Sequence, residues 1–95
     1  MQREEVLATL RRHKQELVAK YGVTRLGIFG SVARDEATEA SDVDIVVEMP
    51  PDLFKMVHMK EELEQMLSSP VDLIRYQNYL NALLKRRIDR EVIYV

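Results

Sequence analysis

Residues Gly30–Val47 read GSVARDEATEASDVDIVV, and this stretch decides the fold because it joins a strand-ending Gly-Ser to an Asp-x-Asp on the next strand. Leu26, Ile28 and Phe29 predict a short buried strand running into Gly30 and Ser31, after which Val32–Ala37 predicts a helical turn. A helix that starts there presents unpaired backbone N–H groups and the positive end of a dipole to an approaching phosphate chain. Ten residues lie between Ser31 and Asp42. Asp42 and Asp44 occupy alternate positions of the following apolar segment. Their carboxylates therefore share one face, while Val43, Ile45 and Val47 take the other.

Carboxylates one pleat apart suit hard divalent cations, and Mg²⁺ keeps its remaining positions for water and substrate phosphates. Phosphoryl-type chemistry with two ions sets them about 3.5–4 Å apart, within reach of bridging carboxylates. Such a pair needs a further acidic ligand, and Asp72 is the best placed. It interrupts the short apolar strand Val71, Leu73, Ile74 after the breaker Ser68-Ser69-Pro70. An ionised carboxylate on a core strand is costly without a partner, and a metal would be one. The structural alternatives are ordinary ones. Gly-Ser alone is a turn, Asp42 after Ser41 is a strand-entry cap, and Asp44 is the partner of a buried arginine. Arg34, one helical turn past Ser31, suits either a solvated position or a contact to a triphosphate.

Gly30-Ser31, Arg34, Asp42-x-Asp44 and Asp72 together resemble the site of the polymerase-beta-type nucleotidyltransferase superfamily. The closer resemblance is to its minimal members, the MNT antitoxins of HEPN/MNT toxin–antitoxin modules. The likeness extends to the leading helix and the closing Glu91-Val-Ile-Tyr-Val95. It implies an α+β nucleotidyltransferase fold with a small mixed β-sheet flanked by α-helices. It also implies a Mg²⁺-dependent adenylyltransferase that moves AMP from ATP to a hydroxyl acceptor, a tyrosine of a cognate HEPN ribonuclease toxin. Asp42 and Asp44 would then hold two Mg²⁺ ions, Gly30, Ser31 and Arg34 would meet the triphosphate, and Asp72 would ligate the metal at the attacking oxygen. The family commonly reads GSxARG here, and this chain has Asp35 in place of the last glycine, which adds negative charge and constrains the turn. Two rival expectations differ in class. One is an antitoxin that works by stoichiometric binding, and the other is a transferase acting on a small molecule such as an antibiotic.

The chain's 95 residues, 46% of them hydrophobic, suit a single domain spanning 1–95 with one modest core. Without cysteine there is neither a disulfide framework nor a thiolate metal site. A formal charge of −2 argues against a long nucleic acid as partner. No long apolar run or leader pattern appears, so a cytoplasmic protein with no membrane partner is expected.

Outside the motif, Val6, Leu10, Leu17 and Tyr21 predict a helix over Glu4–Tyr21 that stops at Gly22. Asp52 predicts the cap of a second helix reaching Leu67, with Phe54, Val57, Leu63 and Leu67 inward and Met56, Met59 and Met66 filling gaps. Asn78 predicts the cap of a helix over Tyr79–Asp89, with Leu80, Leu83, Leu84 and Ile88 inward, before a closing strand Val92–Val95. Element order predicts that the helices share one side of the sheet. His13 and His58 lack a second nitrogen ligand at helical spacing and read as surface residues. Lys85, Arg86, Arg87 and Arg90 suit the end of a helix and read as a solvated cluster in preference to a nucleotide or partner contact.

Overall fold

The computed structural model describes residues 2–95, so Met1 of the expected 1–95 domain lies outside the described residues. Among the described residues four helices and four strands alternate. Helix α1 is Arg3–Tyr21, β1 is Arg25–Phe29, α2 is Gly30–Ala33 and β2 is Val43–Glu48. They are followed by α3 (Leu53–Leu67), β3 (Val71–Arg75), α4 (Ala82–Glu91) and β4 (Ile93–Tyr94). The sheet order is β3-β2-β1-β4, with β1 antiparallel to both β2 and β4 and β2 parallel to β3. This is the expected mixed sheet.

Alternation along the strands divides the apolar residues between two faces. Leu26, Ile28, Val43, Ile45, Val47 and Val71 join Val6, Leu10 and Leu17 of α1 and Met59, Leu63 and Leu67 of α3 in the main core. Phe29 and Val46 turn the other way and meet Ile88 of α4, with Ile74, Leu80 and Leu84 around them. The expectation of helices on one side is therefore corrected. The seam of Leu84 and Ile88, one turn apart, gives α4 an apolar stripe of its own, and the sheet has a second apolar face to receive it.

Helix ends follow their caps. Gly22, at φ 70°, closes α1 with its N–H on the Val18 carbonyl, and the Asp52 side chain accepts from Lys55 N–H at the start of α3. The last helix starts later than expected. Residues 77–80 form a turn closed by Leu80 N–H on the Gln77 carbonyl, and Asn81 caps instead of Asn78, its side chain accepting from both Leu83 and Leu84 N–H. With that start, Leu83 falls on the outer side and is 73% exposed. On α3 the buried stripe is Met59, Leu63 and Leu67, with Met56 and Met66 packed beside it. Phe54 lies half a revolution from Leu63 at about 100° per residue. It is 80% exposed, and Val57 is also exposed, so neither is the inward residue expected.

The helix after the first strand is shorter than the predicted Val32–Ala37. It ends at Ala33 because Asp35 takes a left-handed conformation, at φ 61°, at the position where the resembling family carries glycine. Its N–H bonds the Val32 carbonyl, and Glu36 N–H bonds the Ser31 carbonyl, which turns the chain away from the helix axis. An aspartate tolerates this region better than most residues but still crowds its Cβ against the backbone. Asp35→Gly is expected to raise stability by about 0.5–1 kcal/mol, the strain relieved outweighing the extra freedom of the unfolded chain. Denaturant unfolding of the two proteins checks it, and an unchanged or lower midpoint contradicts it.

Candidate functional site

Gly30 begins at the end of β1 with φ 76°, and a Cβ there would overlap the Asp44 carboxylate of the neighbouring strand. Glycine is therefore required twice over, once by the backbone angle and once by the close approach. The approach follows from register, since Phe29 pairs with Asp44 across the antiparallel ladder. On its other side Asp44 pairs with Asp72 in the parallel ladder, so the two carboxylates leave adjacent strands on the same face. Asp42 stands two residues before Asp44, just ahead of the strand start at Val43, and is exposed. Gly30, Arg34, Asp44 and Asp72 thus lie near one another at one end of the sheet, with Ser31 and Asp42 beside them in the chain.

Their environments differ. The Asp44 side chain is 19% exposed. Burial, followed by the charge of Asp72, pushes its pKa up, Asp42 adds to the rise, and Arg87 and Arg34 oppose it. Asp72 is exposed on the edge strand, which removes the argument that its charge is costly on a core strand. The same exposure leaves its oxygens open to a ligand. Among the described residues no three acidic or imidazole side chains close on one another as a ready metal cage. The donor set nevertheless fits a hard divalent cation. It is all oxygen, it concentrates like charge around a half-buried carboxylate, and two of its members are open to solvent.

Two further functional candidates, Glu91 and Arg87, lie outside the six residues singled out from the sequence. Glu91, at the end of α4, is only 10% exposed and accepts hydrogen bonds from Gly30 N–H at 3.0 Å, Arg34 Nη1 at 2.9 Å and Arg87 Nε at 3.3 Å. Arg87 Nη2 also lies 3.8 Å from Asp44 Oδ2. Arg87 is as exposed as Arg86 and Arg90 but differs from them in these contacts to Glu91 and Asp44. The signal available was the i, i+4 spacing of Arg87 and Glu91 on a helix whose Ile88 faces inward. One expected role shifts as well, because Gly30 N–H is already engaged by Glu91. His13 is half-buried beside Glu16 on α1, and His58 is exposed on α3.

Residues 10–95 match the family described as Nucleotidyltransferase domain. The chain belongs to that family. The protein adenylyltransferase MntA of Thermococcus cleftensis is 42% identical over 94 residues, covering 97% of this chain and 94% of the relative. A Methanocaldococcus jannaschii protein described as a candidate protein adenylyltransferase is 40% identical over 93 residues, covering 96% and 95%. A solved structure described as a candidate minimal nucleotidyltransferase superposes with a TM-score of 0.79 at 35% identity, covering 98% of this chain and 95% of the other. Fold likeness extends to a chain of the tri-AMPylated Shewanella oneidensis HEPN toxin in complex with MNT antitoxin, with a TM-score of 0.61 at 19% identity, covering 97% and 66%. It extends likewise to a chain of a toxin–antitoxin structure with AMP-PNP, with a TM-score of 0.70 at 19% identity, covering 99% and 72%.

Glu91 carries a pH dependence of stability that can be signed. Burial alone would raise its pKa, but the Gly30 N–H and the Arg34 and Arg87 guanidiniums prevail and hold it below the ordinary glutamate value of 4.5. A carboxylate with a lowered folded pKa stabilises above its unfolded value and loses that stabilisation as pH falls through the folded one. Glu91→Gln is therefore expected to melt lower than the parent at neutral pH, with the gap closing as the pH drops below 4.5. Melting curves across that range check it, and a gap independent of pH contradicts it.

Proposed function

We propose that this nucleotidyltransferase is a protein adenylyltransferase antitoxin, which transfers AMP from ATP to a tyrosine hydroxyl of a cognate HEPN ribonuclease toxin in the cytoplasm. The observation that carries the reading is the in-register pairing of Asp44 with Asp72 beside the Gly30-Ser31 turn. The name of the Thermococcus cleftensis relative supports the reaction class, and the AMPylated toxin in the Shewanella oneidensis complex supports the acceptor.

Asp42, Asp44 and Asp72 would hold two Mg²⁺ ions. When bound, magnesium offsets phosphate charge and makes a coordinated hydroxyl easier to deprotonate. The residues of the chain supply the rest. Ser31 in the first turn of α2 and Arg34 at its end receive the phosphate chain, and Gly30 leaves the room that any side chain would take. The toxin hydroxyl attacks the α-phosphorus, the bond to the bridging oxygen breaks, and pyrophosphate leaves. Asp72 accepts the hydroxyl proton, a task suited to an exposed carboxylate at the rim. The exposure of both Asp42 and Asp72 favours an acceptor delivered from outside on another protein's surface.

Asp42→Asn or Asp44→Asn is expected to abolish transfer while leaving the fold intact, since each swap keeps volume and removes a charge. Without metal, Asp44→Asn should melt no lower than the parent because a crowded negative charge is gone. Full activity in the Asp44→Asn protein contradicts the metal assignment, and a marked loss of stability favours a structural role for the aspartate.

Incubation with the cognate toxin, ATP and Mg²⁺ is expected to add AMP covalently to the toxin. Asp72→Ala should prevent the addition without preventing the complex. Intact-mass measurement decides. Neutralisation with no mass change leaves the binding-only antitoxin as the better account, and modification of an aminoglycoside by the isolated chain moves the acceptor to small molecules.

A further inference from the structure

Glu91 holds two guanidiniums over a turn that is already crowded with charge. Its Oε1 accepts from Gly30 N–H and Arg87 Nε, and its Oε2 accepts from Arg34 Nη1. The carboxylate is nearly buried, whereas the arginine side chains are 38% and 43% exposed. Arg87 thus has one nitrogen fixed by Glu91, and Arg34 has two engaged, Nη1 by Glu91 and Nε by the exposed Glu36, which leaves further N–H groups on both for another anion. Arg87 comes from α4 and Arg34 from the end of α2, so the two approach the Gly30-Ser31 turn from different elements.

The position of Arg87 admits a plainer reading, as a counter-ion to Asp44. Two observations weigh against it. At 3.8 Å the Nη2 to Oδ2 separation is longer than a hydrogen bond, and Arg87 bonds Glu91 instead. Its Nη2 also overhangs the turn, lying 3.2 Å from where a Cβ on Gly30 would sit, and its guanidinium carbon is 5.7 Å from the centre of the Phe29 ring. One guanidinium against one carboxylate would need no second arginine. Two guanidiniums share the near-buried carboxylate of Glu91, with the exposed Glu36 on Arg34 and Asp44 at 3.8 Å from Arg87, and the N–H groups these acids leave free suit the terminal phosphates of a nucleotide.

We propose that Arg87 binds the β- and γ-phosphates of the nucleoside triphosphate together with Arg34, and that Glu91 is the positioning residue that holds both guanidiniums in place. The inference rests on the nucleotidyl-transfer reading above. It assigns the phosphate chain to Ser31 and the arginine pair, because Glu91 occupies the Gly30 N–H. After transfer the same pair carries the departing pyrophosphate. An AMP molecule, lacking both terminal phosphates, gains nothing from Arg87.

Calorimetric binding of ATP and of AMP, each with Mg²⁺, to the parent, Arg87→Ala, Arg87→Lys and Glu91→Gln proteins tests this. Arg87→Ala is expected to weaken ATP by about tenfold or more, the worth of a charge-assisted bond, and to leave AMP unchanged. Arg87→Lys should recover part of the loss, since it restores charge without the planar fork. Glu91→Gln should weaken ATP in the same sense while its melting curve at neutral pH still shows a folded protein. Unchanged or tighter ATP binding in Arg87→Ala overturns the proposal and leaves the counter-ion reading. Equal losses for ATP and AMP overturn it too, as the mark of a distorted site. A parent protein that binds no ATP defeats the nucleotidyl-transfer reading itself, whereas an unaffected Arg87→Ala variant defeats this inference alone.

Discussion

The register of β2 between its two neighbours is the constraint on which the site depends. Asp44 lies opposite Phe29 on one side and Asp72 on the other, so a slip of a single residue against either neighbour would change what the carboxylate meets. A slip would also turn Val43, Ile45 and Val47 away from the core formed with α1 and α3. Core burial therefore protects the site geometry. Fully burying one such side chain contributes roughly 1.5–3 kcal/mol. Three of them outweigh the repulsion the register imposes, because neighbouring strands lie about 4.8 Å apart and two unit charges at that separation repel by roughly 3 kcal/mol at the effective dielectric of a protein. Solvent around the exposed Asp72 reduces that repulsion further.

Opposite charge is supplied from the second face. Helix α4 is held there by Ile88 against Phe29 and Val46, and the same helix carries Arg87 and Glu91 toward the glycine turn. Packing and electrostatics are thereby linked through one turn of helix. Phe29 stands at the centre of the link, since it packs on Ile88, ends β1 and pairs with Asp44. Gly30 can follow immediately only because it lacks the Cβ that would collide with Asp44.

Much of this was legible in the order of residue types. Strand alternation in Val43–Val47 put Asp42 and Asp44 on one face, and the apolar flanks of Asp72 marked its strand. Those patterns depend only on local periodicity. Register between strands is non-local, and so is the covering of the second face by α4, which is why one-sided helices were expected. The misplaced helix start reflects competition between two asparagines for one cap. Asn81 wins because a start there lets Leu84 and Ile88 reach the sheet. Phe54 misled because its type suggested burial while its angular position opposed the Leu63 stripe. Arg87 was hidden in a run of basic residues, and only the contacts of Glu91 separate it from Arg86 and Arg90.

Asp35 shows how the turn meets a positive φ without glycine. Its backbone N–H and that of Glu36 bond the carbonyls of Val32 and Ser31, so the hydrogen bonds of the turn hold the residue in the left-handed region. Its carboxylate reaches Arg3 of α1 at 4.0 Å, an exposed pair of small worth. That contact directs the added negative charge toward α1, while Arg34 turns to Glu91 and Glu36. Adjacent residues of opposite charge therefore diverge at the end of α2. The departure from the family pattern costs backbone strain, and the positive charge beside Gly30-Ser31 keeps its place.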